Sequence, residues 1–215
     1  PPAHAPEFSR VFAARTCMMA GVGLTGVFLW YLVRFWVYGK AVVLTSAPLT
    51  IPAGFLIAGM AVATLIGAAL ASWAAGPISE RIEEKNIPVA RVVAGACLLY
   101  AAGLALAWGL GVWSTGTARE NGMLLFALIS GFAFGVYDSL GLELVMDSLP
   151  DPRRAGHDLG IYALANSAGL ALAAIIGALL VNAFEHSFGY YLLFPSAIVM
   201  VLLAGIVTLT TKSAE

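Results

Sequence analysis

Asp138 stands in the middle of a long apolar run, residues 122–149. Asp147, near the end of that run, sets its depth. Asp138 comes nine residues earlier, which places it about 13 Å deeper at about 1.5 Å of rise per residue. A carboxylate so deep in lipid costs roughly 2.5–3.5 kcal/mol on insertion scales. It must therefore face a cavity or a partner. Three chemistries are open to it: taking up and releasing a coupling proton, binding a cation or polar substrate, or hydrogen-bonding a neighbouring helix. Desolvation would favour its protonated form unless a cation pairs with it. Tyr137 beside it is a candidate for the same site. So is Asn166, about 12 Å into the run 158–183 by the same helical rise. An amide there is either an interhelical hydrogen-bonder or part of a cavity wall.

Other charged groups in the apolar runs can reach an interface. Glu143 lies one turn from Asp147 on the same face, which suits a structural or gating role. Arg34 lies near the outer end of the first run and can snorkel. Metal spacing is absent, since His4, His157 and His186 are read as loop or tail residues far apart in the chain. Tyr137-Asp138-Ser139-Leu140-Gly141 is not a nucleophile elbow, because Tyr137 stands where the first Gly is required. No phosphate-binding loop or dinucleotide fingerprint occurs. The expectation is therefore no enzyme, no cofactor and no metal. Cys17 and Cys97 both lie inside predicted spans and read as small apolar packing residues.

The elements that must position these groups are six apolar segments, about 11–38, 51–75, 89–113, 122–149, 158–183 and 188–211. Each meets the roughly 20 residues that the hydrocarbon core requires. Hydrophobic residues make up 60% of the chain and charged residues 11%, against about 25% charged in a soluble domain. The fold class read from this is all-α: a polytopic membrane protein of six transmembrane helices forming one domain over 1–215, with the lipid bilayer as its main partner. A net charge of −1 argues against nucleic acid. The chain begins Pro1-Pro2-Ala3-His4, with neither an initiator Met nor a signal peptide. The expectation is a processed, truncated or partial polypeptide.

Six spans put both termini on one side. That side carries Arg10, Arg15, Arg81, Lys85, Arg91, Arg153, Arg154 and Lys212, and the other carries Arg34, Lys40 and Arg119. Eight cations against three place both termini in the cytoplasm of a cell or inner membrane. Trp30, Tyr31, Trp36, Tyr38, Trp113, Tyr190 and Tyr191 then form an outer aromatic belt, and Trp73 marks the inner end of the second helix. Helices in lipid associate through small residues. The second segment offers Gly59, Ala63, Gly67, Ala71 and Ala75 at spacing four. The fifth offers Asn166, Gly169, Ala173 and Gly177, and the fourth offers Gly131 and Gly135 on the face of Asp138. Close helix contact is the plain reading of these faces. Sliding or rocking of the helices is the alternative. No sequence repeat is visible.

The second and third segments are joined by Gly76-Pro77-Ile78-Ser79-Glu80-Arg81-Ile82-Glu83-Glu84-Lys85. This resembles the cytoplasmic loop of the major facilitator superfamily, whose pattern runs Gly, three residues, Asp-Arg, then Gly-Arg-Lys. Gly76, Arg81 and Lys85 match, Glu80 keeps the acidic charge, and Glu83 departs from a common Gly. Two further stretches resemble the same family. One is Pro6-Glu7-Phe8-Ser9-Arg10-Val11-Phe12, similar to the lead-in of its seventh helix. The other is 151–169, similar to the loop and start of its eleventh.

The resemblance implies one six-helix half of a twelve-helix secondary transporter, the C-terminal half rather than the N-terminal one. It implies a central cavity lined by the first, second, fourth and fifth helices, and so by Thr25, Asp138 and Asn166. It implies a gating loop at Gly76, Glu80, Arg81 and Lys85, and a second six-helix half as partner, on the same polypeptide or another chain. The implied activity is alternating-access transport of a small polar solute, with Asp138 available for proton coupling. The alternative is a non-transporting subunit, an assembly or scaffold factor with the same fold. A scaffold predicts small-residue faces covered by lipid or partner and no solvated cavity, whereas a transporter predicts a water-accessible cleft that reaches Asp138.

The charge split predicts topology. Single cysteines at Ser79 and Thr115, in a background without Cys17 and Cys97, are expected to label from opposite sides of the membrane. Reaction of the Ser79 position with an impermeant reagent outside intact cells reverses the assignment.

Overall fold

Lipid offers backbone groups no hydrogen-bond partners, so an apolar run of spanning length folds as a helix, which satisfies them within itself. The computed structural model describes residues 6–38, 51–113, 116–148, 155–184 and 186–211, and every regular element among them is helical. The order is α1 (Pro6–Gly26), α2 (Leu29–Tyr31) continuing as a π-helical turn (Leu32–Val37), α3 (Ile51–Glu84), α4 (Val89–Trp113), α5 (Thr117–Asp147), α6 (Ala155–Ala183) and α7 (His186–Leu209). Helices α3 to α7 are each long and apolar enough to cross a membrane. The α1 and α2 segments, bent by 40°, add a sixth span if they are one crossing. His4, Lys40, Arg153, Arg154 and Lys212, with residues 151–154 of the family-like stretch, lie outside the described residues.

Four sequence expectations are corrected. The first helix starts at Pro6 rather than 11 and breaks after Gly26 rather than running to 38. At the break the Thr25 hydroxyl donates to Val22 O (3.1 Å), a back-bond that bends helices. The helical ladder then resumes at Leu29 and loosens to a π turn, with Tyr38 N–H donating to Val33 O. The third correction concerns 76–84, read as a loop. It is a continuation of α3, which carries Pro77 inside it. The helix stops where Asn86 adopts a left-handed φ of 51°. There Asn86 N–H bonds Glu83 O and Ile87 N–H bonds Ile82 O. These two bonds satisfy the terminal carbonyls, and Pro88 bars continuation. Likewise His157 lies in the first turn of α6 and His186 opens α7, neither in a loop.

The helices pack as two trios. Helix α5 packs on α3 and α4, and α1 packs on α6 and α7; α4 meets α7, and α1 meets α5 only narrowly. Exchanging α1 with α5, α3 with α6 and α4 with α7 reproduces this pattern, apart from the α6–α7 contact. Small residues set the closest approaches. A Cβ on Gly67 would strike Leu128 O and Phe132 N of α5, and one on Gly131 would strike the Thr64 backbone of α3. The equivalent crossing of α1 and α6 uses Gly169 against Thr16 O and Ala20 N. Gly177 meets the Phe28 ring, and Gly135 meets Ala71.

At the end of the bundle holding α2, the aromatic residues divide. Trp36 and Tyr190 are buried in stacked and edge-on contacts with Tyr31, Phe35, Tyr191 and Phe194, whereas Trp113 is exposed. Arg119 donates to Trp36 O (3.0 Å). Burial and a hydrogen bond with Glu120 push the Tyr38 phenol up to about 12. The Arg119 and Glu120 contacts tie the π turn and its end to α5.

Gly131→Ala is expected to destabilise the bundle by about 1–3 kcal/mol, the usual cost of overpacking. Gly95→Ala, whose added Cβ meets nothing within 4 Å, should change little. Denaturation of both variants in detergent checks this, and equal effects would remove the close α3–α5 crossing as a determinant of stability.

Candidate substrate and coupling site

Arg15 is the centre of the polar interior. It lies nine residues inside α1 from Pro6 and is only 7% exposed. Its Nη1 lies 2.7 Å from Asp138 Oδ1 of α5, and its Nε donates to Asn166 Oδ1 of α6 at 2.7 Å. The guanidinium carbon sits 5.6 Å from the ring centroids of Phe134 and Tyr137 and 5.7 Å from that of Tyr162. Three helices thus converge on one cation. A guanidinium suits this place because it stays charged, presents a planar fork of donors, and stacks on aromatic faces. Its burial would be very costly without this carboxylate, amide and ring cage.

Asp138 is placed differently from its partner. Its side chain is 55% exposed, against 9% for that of Arg15. It forms part of the wall of an open cleft of about 340 Å³, together with Thr64, Ser72, Ser130, Phe134 and Ser139. The cleft runs between α3 and α5, with Val22 of α1 and Tyr100 of α4 at its back. The carboxylate therefore has one side on a buried cation and one on open space.

Of the residues singled out from the sequence, Asp138, Asn166 and Tyr137 come together around Arg15. Tyr137 is buried, with its ring toward the guanidinium. Thr25 is buried at the α1 break and is not part of the cleft wall. Gly76, Glu80, Arg81 and Lys85 are exposed at the far end of α3. Among the described residues, neither Glu80 nor Arg81 forms an ion pair. Glu143 is exposed on α5. Arg34 lies over the Trp30 ring at 5.0 Å.

Arg15 is the residue that sequence reasoning misplaced. Counted among the interfacial cations, it is instead inside the bundle, which leaves seven cations against three for topology. The signal was present: Pro6 at the first helical position and Glu7 in the first turn mark a helix start. That start puts Arg15 more than two turns inside.

A family model described as Major Facilitator Superfamily matches residues 53–215. Comparisons with curated proteins and with solved structures give no match.

The pair predicts coupled stability. Asp138→Leu leaves Arg15 buried without a counterion, and Arg15→Met removes the cation, so each single variant should lose stability. The double variant should lose less than the sum, with a coupling of about 0.5–3 kcal/mol. Arg15→Lys should not restore the wild-type value, because a point charge cannot serve Asp138, Asn166 and three rings together. Strict additivity in the cycle would show that the contact is energetically idle.

Proposed function

The chain belongs to the Major Facilitator Superfamily, and from that premise we propose that it is half of a secondary active transporter for a small polar solute. The reading includes alternating access against a second six-helix half, with Asp138 as the coupling residue. The observation that carries it is the position of Asp138, shared between buried Arg15 and an open cleft. Protonation of the carboxylate cancels its attraction for Arg15. Arg15 then keeps only the Asn166 amide and the three rings, a less favourable burial, and the narrow α1–α5 tie weakens. A proton taken up on the cleft side thereby alters the contact between the two helix trios.

The exposed end of α3 supports a gating role for 76–85. Glu80 and Arg81 project from the last turns of α3 and Lys85 from the turn that follows, so they can pair with groups across the cytoplasmic face. Arg10 supports the common end for both termini: it donates to Thr210 O at the end of α7 (3.0 Å) from the first turns of α1. The cytoplasmic assignment of that end rests on the positive-inside rule.

In liposomes holding the complete transporter with an imposed pH gradient, Asp138→Asn is expected to abolish accumulation and to spare equilibrium exchange at saturating solute concentration. The amide mimics the protonated carrier, which still reorients with solute. Wild-type accumulation by this variant removes Asp138 from coupling. Arg81→Ala is expected to slow transport severalfold at unchanged membrane abundance, and wild-type rates in both Arg81→Ala and Glu80→Ala would reduce this segment to a charged helix end.

A further inference from the structure

Four serine and threonine hydroxyls line the cleft, and all four spend their hydrogen on their own helix. Thr64 donates to Met60 O (2.9 Å), Ser72 to Ala68 O (3.1 Å), Ser130 to Ala127 O (3.0 Å) and Ser139 to Gly135 O (2.8 Å). A hydroxyl used this way presents lone pairs to the space it faces. Backbone N–H groups in mid-helix are already used by the helical ladder. Among the described residues, Asp138 brings the only formal charge in the wall. Its Oδ1 takes Arg15, and its Oδ2 takes no partner among the described residues. Arg15 itself is not part of the wall; it is buried behind the Phe134 and Tyr137 rings. The remaining polar neighbour, the Tyr100 hydroxyl, lies beside Thr25 and can donate as well as accept.

The cleft is thus rich in acceptors, poor in donors and negative at one end, with the Phe134 and Tyr100 rings as its apolar surface. We infer that it takes a small organic cation bearing N–H donors, an ammonium group on a short apolar or aromatic body. This deepens the transport reading and rests on it. An ammonium head meets the free carboxylate oxygen and hydroxyl lone pairs in charge-assisted hydrogen bonds, and a cation gains further from a neighbouring ring face. An anion of the same shape meets the carboxylate and lone pairs instead. To find donors it would have to turn hydroxyls away from their carbonyl partners and leave those carbonyls poorer by one bond. The volume, about 340 Å³, is at the small end for ligand sites, which limits the body to about one ring and a short chain.

The test uses the complete protein in lipid nanodiscs and three probes of one shape: phenethylammonium, phenethyl alcohol and phenylacetate. Binding by calorimetry is expected to favour phenethylammonium over phenylacetate by about tenfold or more, with the alcohol between them. Asp138→Asn should weaken the ammonium about tenfold and leave the alcohol unchanged. Ser139→Ala together with Ser72→Ala keeps the ion pair intact and should weaken the ammonium severalfold, which covers the case in which Asp138→Asn fails to fold. Equal or tighter binding of phenylacetate overturns the inference, as does the absence of ammonium binding up to about 10 mM. Uptake of the same probes into liposomes, run in parallel, separates the two readings. Ammonium that binds without being carried sinks the transport reading and leaves the inference standing. Phenylacetate that is carried leaves transport standing and sinks the inference.

Discussion

A guanidinium inside a bilayer-spanning bundle is the constraint to which the polar interior answers. Arg15 cannot shed its charge and, at its position in α1, cannot reach water readily. The surrounding helices must therefore bring it a counterion, an acceptor and polarisable faces. Helix α5 supplies Asp138, Phe134 and Tyr137, and α6 supplies Asn166 and Tyr162. These contacts also give α1 a specific hold on α5, where the backbones meet only narrowly. The register of three helices is thus linked to one side chain.

The rest of the packing is steric. With no hydrophobic drive between helices in lipid, the bundle relies on close approach. The α3–α5 and α1–α6 crossings are both built on glycines facing backbone. The two crossings correspond under exchange of the two halves of the chain, an approximate symmetry of contacts. Helices α3 and α6 are the least buried of the spanning helices by themselves, and they too exchange under this symmetry. The cleft opens beside α3, next to the carboxylate that holds Arg15. Cleft wall and structural tie therefore share a residue, Asp138.

Element type and general placement were legible because they depend on local properties. Runs of 20 or more apolar residues dictate helices, and small residues at spacing four marked the faces that do meet: Gly67 and Ala71 toward α5, Gly131 and Gly135 toward α3, Gly169 and Ala173 toward α1. Helix ends were less legible. Gly76-Pro77 reads as a stop, yet α3 continues through it although Pro77 removes one rung of the hydrogen-bond ladder. The true stop, Asn86-Ile87-Pro88, depends on a left-handed residue and two capping bonds.

The sequence by itself determined that this chain spans a membrane as apolar helices, and that Asp138 at its depth needed a cavity or a partner. Bilayer thickness and the cost of burying charge act on each segment alone. Only the tertiary structure decided that Asp138 has both: Arg15 on one side and an open cleft on the other. It also decided that Asn166 serves the cation rather than the cleft, and that Thr25 bends a helix instead of lining a wall. Those outcomes depend on the azimuth of each helix about its axis and on side chains 123 to 151 positions apart in sequence. Spacing along one segment carries no record of such distances.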